Sequence, residues 1–303
     1  MMRVLLILAA SCLLRGQQAE PGLDAALRAL ETRSGGVLGV AALHLESGRL
    51  IGWRAKDHFP MMSVAKLPVA VRPLALMQAG LLPYRKMIRI EPDEYSPGFS
   101  PLRDRYPQGA VVTIGQLIEA SVRDSDNSAH DILLRLVGGP EATQKHLDKL
   151  FKGAIRVQRS EQEMGADFQA AGAKAFDADA RDSATPEAMA LLLSAIHSRK
   201  LLHPASHERL IRWMTETTTG PRRIRGLLPA GTAVWHKTGT GGTKDGINLC
   251  TNDAGVVELP EGKGHLALAV FVKLSAKPLE ERERAIAETA RLFYDYFTAQ
   301  ASK

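Results

Sequence analysis

What most constrains the fold is where the strand-like runs fall. Two apolar, β-prone stretches lie near the start of the chain, at residues 37–45 and 49–53, joined by the turn Glu46-Ser47-Gly48, which is a hairpin signal. Three more, at residues 233–237, 247–259 and 265–274, lie near its end, the last two separated by Gly262-Lys263-Gly264. Between residues 64 and 216 the periodicity is that of helices and loops. The simplest assembly is one sheet that draws strands from both chain ends, with a helical block inserted between them. Helices at residues 23–32 and 280–298 then cover one face of that sheet. The expected fold is α/β in the α+β sense, with two lobes. Residues 20–60 and 213–303 form a discontinuous lobe, an antiparallel sheet flanked by terminal helices, and residues 61–212 form an all-helical lobe.

Within the inserted block, residues 64–78 read as an apolar helix long enough to be the centre of a lobe. Pro68 and Pro73 fall inside it. An interior proline costs roughly 3 kcal/mol in a free helix, so a kink held by packing is expected. Thr113 is placed to cap a helix over 114–122, and further helices are expected at 128–136, 141–151, 186–198 and 205–216. Residues 91–110, rich in Pro, Gly and charge, read as an exposed loop that carries Phe99. Residues 157–185 are polar and Ala/Asp-rich and read as an irregular loop, a length that in a compact protein marks function or disorder.

The 303 residues suffice for two lobes with real cores, and 45% hydrophobic with 24% charged residues excludes a disordered or fibrous chain. Residues 1–19 stand apart: a basic start and a run of about eleven apolar residues read as a secretory leader, too short for a bilayer that needs roughly 20. Cleavage near Ala19 is expected, with lipid attachment at Cys12 as the alternative. Loss of Arg3 and Arg15 lowers the net charge from +6 to +4. The basic residues are scattered, with no aromatic-interleaved stripe, so no nucleic-acid partner is expected. Export would leave Cys250 as the sole cysteine, in an apolar strand-like run where it reads as a small buried hydrophobe.

Ser63-Val64-Ala65-Lys66 carries the first chemical signal. On a helix the two polar residues share a face, and a serine becomes a useful nucleophile beside a base. Alone the pattern is common, and Ser63 could be a helix cap. Two further motifs follow in order, Ser125-Asp126-Asn127 and Lys237-Thr238-Gly239, about 60 and 110 residues on. The three together are the set of class A β-lactamases and penicillin-binding proteins. Gly138-Gly139-Pro140, Thr217-Thr218-Thr219-Gly220-Pro221, Leu228-Pro229-Ala230-Gly231-Thr232 and Thr251-Asn252-Asp253 extend the similarity over residues 22–298. The chain resembles the extended-spectrum branch of class A that includes the PER and VEB enzymes and the Bacteroides cephalosporinases.

The resemblance implies a division of labour. Ser63 is the nucleophile and Lys66 its base or the cation that tunes it. Ser125 relays a proton to the leaving nitrogen. Lys237 acts on Ser125 and attracts the substrate carboxylate, Asn127 hydrogen-bonds the substrate amide, and Asp126 is structural. The oxyanion hole belongs to the backbone N–H groups of Ser63 and Thr240. Thr238 and Thr240 hydroxyls, on the Gly239 strand, meet the carboxylate. Glu161, in Arg159-Ser160-Glu161-Gln162-Glu163-Met164, matches the family's water-activating base, with Glu163 the competing choice. Arg159 would pair with Asp182 to close the loop. Arg223 matches an alternative carboxylate-binding position, its other reading being a solvated basic turn, and Phe99 matches an aromatic at the mouth of the site. Two departures are evident: Gly165 stands where many members carry a water-holding asparagine, and the span from Glu161 to Asp182 is longer than in common members.

The implied function is β-lactam hydrolysis by an exported, periplasmic or secreted monomer, with no stable membrane span and a small-molecule β-lactam as its partner. No cofactor or metal is expected, since none of the nine histidines sits in a spacing such as His-x-x-x-His. The rivals are a penicillin-binding DD-peptidase, for which Glu161 has no role, and a non-catalytic β-lactam sensor domain.

Overall fold

The computed structural model describes residues 21–300. The expected leader and Cys12 lie outside the described residues. Helix α1 (Pro21–Ser34) leads into strands β1 (Val37–His44) and β2 (Leu50–Trp53), then β3 (Phe59–Pro60). One 3₁₀ turn (Met62–Ala65) opens α2 (Lys66–Gln78). The block continues through β4 (Met87–Ile90), α3 (Pro101–Arg105), β5 (Ala110–Thr113), α4 (Ile114–Val122), α5 (Asn127–Leu136) and α6 (Gly139–Phe151). It closes with α7 (Glu161–Ala178), β6 (Ser183–Ala184), α8 (Pro186–His197) and α9 (Pro204–Thr215). The chain then returns to the sheet with β7 (Val234–Thr240), β8 (Thr243–Lys244), β9 (Ile247–Glu258) and β10 (His265–Ser275), and ends in α10 (Leu279–Gln300).

The sheet is antiparallel, in the order β2-β1-β10-β9-β7, with β8 folded back on β9. β1 lies between β2 and the central β10, with which it pairs from Val37↔Lys273 to His44↔Leu266. Alternation along β1 sends Leu38, Val40 and Ala42 to one face, where they pack with Leu27 of α1 and Ile286 and Phe293 of α10. Ala41 and Leu43 face the other way, toward a core shared with Phe271, Trp235, Leu193 of α8 and the helices of the inserted block. Among the described residues, no helix is long and apolar enough to cross a membrane.

The inserted block is helical apart from two two-stranded ribbons, β4–β5 and β3–β6, so it is not wholly helical as expected. Thr113 does cap α4, in a reciprocal box with Gln116. α2 runs continuously from Lys66 to Gln78 through both prolines. Pro68 falls in the first turn, where N–H groups lack an intrahelical acceptor, and buried Pro73 is held within an otherwise helical run. The larger correction concerns residues 157–185, expected as irregular loop but occupied mainly by α7. Ser160 and Glu163 cap it reciprocally, its alanines favour helix, and Met164, Phe168 and Phe176 pack on Leu249 and Cys250 in a small separate core. Gly172 breaks the helix at φ 77°, ψ 179°. Lys244 Nζ donates to the carbonyls of Gln169 (2.6 Å) and Ala170 (3.4 Å) there, filling acceptors the break exposes. Cys250 is fully buried, and burial pushes its thiol up to about 12.

Candidate active site

Ser63 lies in the 3₁₀ turn between β3 and α2. Met62 before it is in the left-handed region, φ 46°, which costs a bulky residue on the order of 1 kcal/mol and needs surrounding support. Asn252 of β9 supplies it, its Nδ2 donating to the carbonyls of Pro60 (2.7 Å) and Met61 (3.3 Å). Met61 N donates to Asp182 O (2.9 Å). β7 presses against the other side. A Cβ on Gly239 would lie 2.4 Å from Met61 O and 3.0 Å from Val64 N, so the third residue of Lys237-Thr238-Gly239 is glycine because any side chain would push β7 off the nucleophile's turn.

Lys66, fully buried, is the hub. Its Nζ donates to Ser63 Oγ at 2.8 Å, to Asn127 Oδ1 at 2.9 Å and to Glu161 Oε1. Glu161 is the first residue of α7, and its N–H donates to Asp131 Oδ1 (2.8 Å). Burial raises its carboxyl, but Lys66, by charge and by hydrogen bond, together with Lys237 outweighs burial and holds it below the ordinary glutamate value; the helix N-terminus acts in the same direction. Glu163 does not compete for this place, since its carboxylate accepts from Ser160 N and Oγ. His130 lies within the electrostatic reach of these groups, and burial, then Lys66, push it down to about 4, so it is neutral at pH 7.

The second motif begins with Ser125 at φ 62°, again left-handed. Asp126 fixes that turn: fully buried, it accepts from Ser100 Oγ, Leu102 N (2.6 Å) and Ala129 N (2.8 Å), and caps α5. Lys237 reaches across from β7, its Nζ donating to Ser125 Oγ (2.8 Å) and Thr238 O (3.1 Å). Burial, then Lys66, depress it well below the ordinary lysine value of 10.5. Thr238 Oγ1 donates to Thr219 Oγ1 (2.7 Å).

Thr240 ends β7, an edge strand among the described residues. Gly241 N donates inward to Cys250 O (2.8 Å), and donors alternate in direction along an antiparallel strand, so Thr240 N–H points out of the sheet edge toward Ser63. Arg223 is buried, not part of a solvated turn. Its guanidinium donates to Thr240 Oγ1 (2.7 Å), Gly239 O (3.0 Å), Asn252 O (2.8 Å) and Glu283 Oε1 (3.2 Å). It thus braces the strand end and places a cation beside Thr240. Phe99 is 59% exposed, and its carbonyl accepts from Asn127 N (3.0 Å), so the ring stands at the rim next to Asn127.

Arg159 and Asp182 meet as a buried pair at 2.7 Å, both under 5% exposed, not as a surface bridge. Arg159 also reaches Asp167 (2.7 Å) and Asp179 (3.4 Å) and lies over the Phe176 ring. Burial raises the Asp182 carboxyl, although Arg159 and two backbone N–H groups pull against it. Gly165 lies one turn after Glu161, and a Cβ there would meet nothing within 4 Å.

Several positioning residues had no separate sequence signal. Asp131, which receives the N–H groups of Glu161 and Gln162 and the Ser96 hydroxyl, reads in sequence as one more polar helical residue. Glu283, on α10, holds Arg222 and Arg223 from 60 residues away. Asn252 lay within a motif that carried the resemblance, but its grip on the nucleophile's turn follows only from β9 passing beneath β3.

A serine with a buried lysine on its own helix face, a second serine–lysine pair opposite, and an edge strand offering N–H groups between them define a serine acyl-transfer enzyme of the penicillin-recognising type. A model of the β-lactamase enzyme family matches residues 22–297. The β-lactamase VEB-1 of Pseudomonas aeruginosa is 37% identical over 243 residues, covering 79% of this chain and 78% of that one. The extended-spectrum β-lactamase PER-1 of the same organism is 36% identical, covering 79% and 76%. The crystal structure of a β-lactamase from Chitinophaga pinensis superposes with a TM-score of 0.85 at 36% identity, covering 91% of this chain and 99% of that one. The chain belongs to the class A serine β-lactamases.

Proposed function

We propose that Ser63, activated through Lys66, attacks the carbonyl of a β-lactam antibiotic, and that water activated by Glu161 hydrolyses the resulting acyl-enzyme, conferring resistance. The Ser63 Oγ–C bond forms as the ring C–N bond breaks, and Ser125, beside Lys237, delivers the proton to nitrogen. The N–H groups of Ser63 and Thr240 receive the oxyanion. Lys237, Thr238, Thr240 and Arg223 hold the substrate carboxylate, Asn127 its amide, and Phe99 its outer face. The observation that carries this reading is Glu161 on Lys66. A DD-peptidase acylates with the same serine and lysines but has no use for a carboxylate in contact with them. Turnover of a chromogenic cephalosporin by the purified protein tests it; a long-lived acyl-enzyme with no turnover would favour the DD-peptidase. We extend the proposal to export with removal of residues 1–19 and a monomeric state, checked by the N-terminus and mass of protein recovered from the periplasm.

The burial of Lys237, then the charge of Lys66, set a pH dependence. Its value in the fold lies below that of the unfolded chain, so it loses its proton earlier as pH rises. The alkaline limb of kcat/KM is expected below pH 10.5. That limb is not unfolding by this group, because the unfolded chain binds the proton more tightly and the group's contribution to stability rises with pH. Lys237→Arg is expected to move the limb upward; an unmoved limb assigns it elsewhere.

Gly165→Asn is expected to fold, since the space beside Gly165 is open, and to gain a few tenths of a kcal/mol from helix propensity. A second polar group near the Glu161 water would quicken deacylation. Single-turnover decay of the acyl-enzyme would read this directly, and an unchanged decay rate would show that the glycine is not limiting.

A further inference from the structure

We infer that the end of the sheet remote from Ser63 carries a binding site for a borderline divalent cation, Zn²⁺ by its chemistry, with Glu46, His197 and His265 as ligands. Glu46 lies in the turn after β1, His197 ends α8 and His265 begins β10. Each offers one ligand atom, and these atoms all lie within 4.8 Å of one another. Glu46 is already fixed there, Oε2 accepting from His265 N and Oε1 meeting His265 Nδ1, both at 2.8 Å. The His197 and His265 rings cross at 48° with centroids 4.4 Å apart. Two imidazoles this close repel once protonated, whereas their lone pairs can serve one cation. Trp235 stacks on His197 at an interplanar angle of 4° and restricts how that ring turns.

A second observation points into the same place. The two histidines line a cleft of about 330 Å³ with His207, Trp235, Glu258 and Arg199. His207 is 9% exposed, neither of its ring nitrogens makes a well-formed hydrogen bond, and burial, then Arg199, disfavour its charged form. A buried polar group without a partner costs about 1–3 kcal/mol. A metal, or a water bound to one, would supply the missing partner. Glu258 and Arg199 line this cleft with the histidines, and Glu46 joins it through His265.

Two imidazoles, a carboxylate and one open position suit zinc, and copper or nickel by the same donors. Tetrahedral bonds of about 2.0–2.2 Å put ligand atoms roughly 3.4 Å apart, inside the 4.8 Å within which these lie; Glu46 is exposed and both histidines are partly exposed, so the side chains can adjust. His265 pairs with Glu258, while Thr240 pairs with Thr251, which at about 3.3 Å per residue puts the two sites roughly 23 Å apart along β9. The cation would therefore tie a turn, a helix end and a strand start together, and take no part in the chemistry at Ser63. Ligands at positions 46, 197 and 265 have no local spacing for a sequence reading to find.

The test is zinc titration by calorimetry on the untagged, metal-stripped protein, with Co²⁺ absorbance as a geometric probe. One equivalent is expected to bind with micromolar affinity, Co²⁺ to give d–d bands of four-coordinate intensity, and zinc to raise Tm. His197→Gln and His265→Gln should each weaken binding by at least about tenfold and abolish the Tm rise. His146→Gln, on α6, should change neither. Cephalosporin turnover by each variant verifies its fold. No uptake of zinc by the wild type, or equal uptake by a His197→Gln/His265→Gln double variant that still turns over substrate, overturns the proposal.

Discussion

Exchanging Glu161 for glutamine is expected to leave acylation largely intact and to slow deacylation by about 10²–10⁴-fold. The amide keeps the shape of the side chain but cannot take a proton from water. Mass spectrometry after mixing with a penicillin should then find the protein as a covalent adduct on Ser63, with a burst of one equivalent in place of steady turnover. Because the carboxyl of Glu161 is held below the ordinary glutamate value of 4.5, the acid limb of wild-type deacylation should also lie below pH 4.5. Glu163→Gln is the control. Its carboxylate serves the α7 cap, a place that glutamine can also fill, as Gln116 does at α4, so the change should cost little stability and leave deacylation in place. Trapping by Glu163→Gln but not Glu161→Gln would reverse the assignment.

The second large effect is on stability. Arg159→Ala removes one partner of a buried pair and leaves Asp182 without its countercharge, a change worth about 3–5 kcal/mol. Tm should fall by on the order of 10 °C. The damage should reach the chemistry, because Asp182 O receives Met61 N two residues before Ser63 and α7 begins two residues after Arg159. Thermal melts and kcat on the same preparation would read both. A melt within a degree of wild type would show that Arg181, which also reaches Asp167 and Asp179, closes the loop without Arg159. Arg159→Lys should recover only part of the loss, since a lysine cannot fork to two carboxylates.

How much of this was legible in the sequence depended on whether a residue's role is local. The cap of α4 was, because Thr113 stands directly before an apolar helical run; the Ser160–Glu163 cap of α7 was not, because the stretch after it reads as loop. The ordering of Ser63, Ser125 and Lys237 was, because the motifs are short and their chemistry is local to a turn. The sheet's make-up from both chain ends could be read from where the β-prone runs fall. Residues 161–178 could not, because their polar, alanine-rich composition suits loop and helix alike; the small core of Phe168 and Phe176 on Leu249 and Cys250 decides it, and that core is visible only once β9 is in place. Arg223 stood between two readings for the same reason. What settles its environment is Glu283, 60 residues on, and the passage of β7 and β9 overhead.

The pairing of β1 with β10 has a consequence for the newborn chain. Ser63 and Lys66 leave the ribosome some 170 residues before Lys237, and β1 must wait for residues 265–275 before its inner edge has a partner. A growing chain therefore cannot complete the sheet, nor the pocket at its edge, until almost all of it has been made. Long-range pairing of this kind slows folding. Slowness of this kind would serve the export proposed above by keeping the chain threadable, and it makes any prematurely terminated product catalytically silent.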